Sequence, residues 1–133
     1  MGLRAGSVAV LAVLGISCLT SCGGRQRASG PAALTRQAEE LVSLLAKGDF
    51  QQVTDRFDQA MKGAAPPQKL GEAWTGLTQQ LGAFERQTGT RTTREMDYEA
   101  VYVHCQFERG RADVKVVFDG NGKVAGLWFV PPS

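Results

Sequence analysis

At Gly82 the spacing of apolar residues in this chain changes from helical to alternating, and that change limits the folds open to it. Upstream, Leu34, Ala38, Leu41, Val42 and Leu45 recur at i, i+4, i+7, i+8 and i+11, one stripe of an amphipathic helix ended by Gly48. Asp49 reads as an N-cap with Gln52 three residues on, and it opens a second stripe of Phe50, Val53, Phe57, Ala60 and Met61. Residues 63–67 break that helix. Pro66 and Pro67 suit the start of a third, in which Leu70, Trp74, Leu77 and Leu81 keep helical spacing. Gly71 and Gly76 weaken it by about 1 kcal/mol each relative to Ala, a cost that close packing against a sheet would explain.

Downstream the period is two. Residues 84–93 are Thr-rich and alternate weakly. Residues 98–108 alternate clearly, with Val101, Val103, Cys105 and Phe107 on one face and Tyr102, His104 and Gln106 on the other. Residues 112–118 group Val114, Val116 and Phe118, and residues 124–130 are apolar on both faces. Arg109-Gly110 and Asp119-Gly120-Asn121-Gly122 read as hairpin turns, since Gly and Asn accept positive φ. The expectation is an α+β domain over 32–133, three N-terminal helices packed on a four-stranded antiparallel sheet.

The residues before that domain read as an export signal. Arg4 supplies a positive n-region and residues 8–14 an apolar h-region, too short for a membrane span, which needs about 20 apolar residues. Leu19-Thr20-Ser21-Cys22 looks like a bacterial lipobox: a branched aliphatic, two small residues that let the signal peptidase reach the bond, and the thiol that takes the diacylglycerol. Residues 1–21 are then a cleaved signal peptide, Cys22 is the lipidation site, and residues 22–31 are a polar, Gly-rich tether. Acyl chains contribute about 0.8 kcal/mol per buried methylene, so two or three hold firmly. The expected localisation is an exported protein, lipid-anchored to the cell membrane or outer membrane of a bacterium. Gly23 rather than Asp after the cysteine does not signal inner-membrane retention.

Of 133 residues, about 112 remain after the leader, enough for one modest core. The formal charge of +2 is too small, and the basic residues too interspersed with acidic ones, to imply a nucleic-acid partner. Of three cysteines, Cys18 leaves with the leader and Cys22 carries lipid, so Cys105 is left without a disulfide partner.

Six ordered blocks also resemble a known family: LLAKGDF (44–50), RFDQAMK (56–62), PPQKLGEAW (66–74), QLGAFERQ (80–87), VYVHCQFERG (101–110) and VKVVFDGNGKVAGLWFVPP (114–132). They resemble the domain of unknown function 3887, related to the nuclear-transport-factor-2-like superfamily. That resemblance implies helices folded onto a strongly curved, cystatin-like sheet to make a cone with a cavity. Such domains occur alone or beside hydrolase domains, and the family carries no established catalytic residues to transfer.

Tyr102, His104, Asp58 and Trp74 are the candidate ligand or interface residues. As the single histidine, His104 excludes a His-rich metal site, and no carboxylate is fixed beside it by spacing to make it a general base. Cys105 groups with core valines and reads as inert. Asp119-Gly-Asn-Gly-Lys123 lacks the fifth ligand and terminal Glu of a calcium loop, and Lys123 would repel the ion, so it reads as a hairpin. No metal, cofactor or catalytic set is therefore assigned. With Val101 and its neighbours toward the helices, Tyr102 and His104 face outward, together with some of Val117, Leu127 and Phe129. An apolar outer face asks for cover by a second copy, giving a homodimer, or by an envelope protein. The expected function is a membrane-anchored, non-enzymatic binding module. The alternative is a small-molecule enzyme, an isomerase, dehydratase or hydrolase-associated activity, using the cone cavity.

Overall fold

A computed structural model describes residues 30–132. The expected signal peptide and lipobox, with Cys22, lie outside the described residues. Four helices, α1 (Pro31–Lys47), α2 (Phe50–Thr54), α3 (Gln59–Ala64) and α4 (Pro67–Leu81), precede four strands, β1 (Phe84–Glu95), β2 (Tyr98–Phe107), β3 (Gly110–Phe118) and β4 (Val124–Val130). The strands form one open antiparallel sheet in the order β1-β2-β3-β4. No helix among the described residues is long and apolar enough to cross a membrane.

The first stripe folds as its spacing dictates. Leu34, Ala38, Leu41, Val42, Leu44 and Leu45 are buried, and Gly48 at φ 79° returns its amide to the Leu44 and Leu45 carbonyls to close α1. The second stripe is not one helix, so the described residues form four helices where periodicity implies three. Phe57 forms a parallel bridge to Val124, in which Asp58 N–H donates to the Val124 carbonyl at 2.8 Å and Val124 N–H to the Arg56 carbonyl at 2.9 Å. The edge of β4 thus satisfies backbone groups that a continuous helix would pair internally. Asp58 then starts α3 by accepting from Met61 N–H at 2.8 Å. Phe57 stays buried throughout, and that is why its spacing reads as helical.

Gly71 admits α2 rather than the sheet: a Cβ there would lie 3.0 Å from the Phe50 ring, whereas one at Gly76 would meet nothing. The inner face of the sheet packs Val101, Val103, Cys105 and Phe107 of β2 and Val114, Val116 and Phe118 of β3 beneath α1 and Trp74 of α4. Bulges set which residues join them. Phe118 pairs with Val124 and Val117 with Gly126, so Ala125 is an extra residue in β4. This parity shift puts Leu127 opposite Val116 and Phe129 opposite Val114, on the inner face, which corrects their expected outward position. Bulges at Glu85 and Thr88 act likewise in β1, bringing Phe84, Gln87 and Thr90 opposite inner residues of β2.

The β2–β3 turn is Glu108-Arg109, not Arg109-Gly110, since Gly110 already pairs with Phe107. Every β2 residue therefore meets a partner two positions earlier in β3 than the expected turn would give. The Asp119 turn forms as expected, its carboxylate accepting from Asn121 N–H at 2.8 Å and Lys123 N–H at 3.0 Å.

Candidate functional site

Antiparallel register lines up one residue from each strand across the outer face of the sheet: Arg91, Tyr102, Lys115 and Trp128. The Arg91 guanidinium carbon sits 4.0 Å from the centroid of the Tyr102 ring. Lys115 Nζ lies 5.5 Å from the ring centroids of both Tyr102 and Trp128, so cations and π faces alternate along the row. Glu95 Oε2 is 3.3 Å from that ammonium. Partial desolvation lowers the Lys115 pKa, but hydrogen bonding to Tyr102 and Glu95 outweighs it and leaves the pKa above its usual value.

Beside this row a groove of about 420 Å³ is lined by Asp58, Met96, Tyr98, Lys115, Val117 and Trp128 among others. The Trp128 ring leans across Gly126, where a Cβ would come within 2.3 Å of it, and only glycine leaves that space. Met96 is 90% exposed, Trp128 51% and Tyr98 43%. These are the large apolar side chains that stand exposed among the described residues, and all three border this groove.

The next row holds a dyad. His104 pairs with Asp113 across β2 and β3, and its Nδ1 lies 2.8 Å from Asp113 Oδ1. Asp113 is 1% exposed, whereas the His104 side chain keeps 29% of its surface in solvent. With the carboxylate accepting, the ring proton is fixed on Nδ1, and Nε2 is the nitrogen free for other partners. Thr88, Cys105, Arg111 and Pro132 join the pair around a recess of about 180 Å³.

Residues 38–127 match the family described as "Protein of unknown function (DUF3887)". The chain belongs to that family. Among curated proteins, this family member is similar to esterase EstD of Thermotoga maritima, 29% identical over 97 residues that make up 73% of this chain and 24% of the esterase. It thus spans about a quarter of the length of that relative. No solved structure matches.

The structure brings Asp58, Tyr102 and His104 to the outer side of this family member but not to one point. Tyr102 sits at the centre of the cation–aromatic row, Asp58 caps α3 at the border of the groove, and His104 holds Asp113 in the adjacent row. Trp74 is apart from them. It is 6% exposed in the core, its ring centroid 5.7–6.1 Å from those of Phe84, Phe107 and Phe129. Cys105 faces inward, and burial, followed by the charge of Asp113, pushes its thiol pKa up to about 12.

Asp113, Lys115 and Trp128 are residues that sequence reasoning missed, and so are Arg91 of the row and Met96 and Tyr98 of the groove. A signal for Asp113 existed. A two-residue turn at Glu108-Arg109 pairs Phe107 with Gly110, and counting back from there sets His104 opposite Asp113. For Trp128 the deciding feature was the Ala125 bulge, which periodicity does not reveal.

Proposed function

We propose that this chain is a bacterial envelope lipoprotein, anchored through lipid on Cys22, that acts as a non-enzymatic binding module through the outer face of its sheet. One observation carries the binding part: Met96, Tyr98 and Trp128, the exposed large apolar side chains of the described residues, converge on one groove instead of scattering. Lys115, Glu95 and Asp58 supply polar groups at its border, the mixture that gives a ligand orientation as well as affinity. On this reading the bulged sheet and its helical cover form the cone of the nuclear-transport-factor-2-like superfamily. The bulges in β1 and β4 support it, because each bends its strand.

Two measurements test the reading. Cys22→Ser should move the protein from the membrane to the soluble fraction, and unchanged fractionation refutes the anchor. Native mass spectrometry of the detergent-extracted protein should find a bound species that Trp128→Ala loses; retention of the species by that variant refutes the groove.

A second reading rests on the His104–Asp113 dyad, whose free Nε2 borders a small recess beside Arg111. Together with the esterase relative, it supports a small-molecule hydrolase activity in which His104 is the general base. Cys105 does not serve as its nucleophile, being buried and held protonated. Hydrolysis of p-nitrophenyl esters that vanishes in His104→Ala would favour this reading over the first; equal rates in both proteins would dispose of it.

A further inference from the structure

The exposed apolar side chains stand toward the end of the sheet where the chain enters the domain. Pro31, the first residue of α1, lines a recess with Leu34, Arg94, Asp97, Glu99 and Asp119. That recess adjoins the tip of the β1–β2 hairpin, Met96-Asp97. Met96 has a φ of 57°, in the left-handed region where Gly, Asn or Asp is usual. Here that conformation carries a long apolar side chain almost wholly in water. Tyr98 follows it, and the Trp128 ring leans over Gly126, one row nearer this end than its own backbone.

Such an arrangement gains nothing for the core. It suits an interface between water and hydrocarbon, where Tyr and Trp bury an apolar body and keep a polar tip hydrated, and Lys and Arg extend their charge to the headgroups. Lys115 and Arg91 lie on the same face as these rings. Distance favours the same occupant. Residues 22–30 span at most roughly 30 Å when fully extended, so a bilayer that holds Cys22 lies within reach of the Pro31 end.

We propose that Met96, Tyr98 and Trp128 form a second membrane contact, entering the headgroup region of the bilayer to which Cys22 is attached. This rests on the anchor reading above. Three side chains bind a membrane weakly by themselves, and the short tether makes their contact intramolecular. The lipid anchor and the hairpin tip then fix two points of the domain and so orient its outer face against the bilayer.

The test couples the chain from Cys22 to Ser133 to a maleimide lipid in phosphatidylcholine vesicles containing phosphatidylglycerol. This chain keeps every described residue, and its other cysteine, Cys105, is buried and unreactive. Chemical coupling makes the result independent of whether cells lipidate Cys22, which the Cys22→Ser fractionation tests separately. The expected result is a blue shift of tryptophan emission and quenching by brominated acyl chains, both lost in Trp128→Phe and the quenching reduced at least about twofold in Met96→Asp, as removal of a buried apolar contact requires. Emission identical to that of the chain capped with a soluble maleimide overturns the proposal. So does a shift that depends on protein density rather than on lipid, which would assign the face to a second copy.

Discussion

Replacing Trp74 by Ala tests whether this residue builds the core or serves a ligand. Truncating a buried Trp costs roughly 3–5 kcal/mol. Three ring neighbours, with centroids at 5.7, 5.8 and 6.1 Å, place Trp74 toward the top of that range. Each aromatic pair contributes about 0.5–1.5 kcal/mol beyond its buried area, so a loss of about 4–5 kcal/mol is expected. Domains of this size have about 5–15 kcal/mol in total, so the variant should lose from about a third to nearly all of its stability. At about 4–8 °C per kcal/mol, its midpoint should fall by some 15–30 °C or more. Urea and thermal unfolding followed by far-ultraviolet circular dichroism measure this without relying on the lost indole. Trp128→Ala is the control. That residue is 51% exposed, and its removal should change stability by no more than about 1 kcal/mol. A Trp74→Ala loss below about 1 kcal/mol with an unchanged denaturant slope, or an equal loss in both variants, would refute the assignment of one indole to the core and the other to the surface.

Asp58→Ala removes the carboxylate that accepts from Met61 N–H and should cost about 1 kcal/mol, measured by urea unfolding. Cys105 should resist Ellman's reagent at pH 8 until the protein unfolds. Because its pKa rises from 9.0 to about 12 on folding, the neutral thiol is favoured in the native state, and the unfolded chain loses its proton first as pH rises. That stabilisation is complete below pH 9 and is lost between pH 9 and about 12, a slope that Cys105→Ala should lack. In Gly126→Ala the new methyl would overlap the Trp128 ring, so the ring must swing into solvent, with red-shifted emission and, at a half-exposed site, a modest stability change. Unchanged emission would show that the ring does not rest on Gly126.

By itself the sequence determined the class of the fold. The apolar stripe of α1, the glycine after it, the alternation in β2 and the Asp119 turn are local features, and each acts through backbone geometry within a few residues. Local spacing also marked Phe57 as buried, but it could not distinguish a helical stripe from a bridge to Val124, a partner 67 positions along the chain. Tertiary structure made that choice, because only the β4 edge offers the competing hydrogen bonds. The outer face was decided in the same way. A single extra residue at Ala125 reverses which side chains of β4 turn inward, and a one-residue difference in turn placement, which shifts the pairing by two, brings Asp113 to His104. Both the groove around Trp128 and the dyad are thus products of strand register, which pairing across the sheet sets and periodicity along one strand does not.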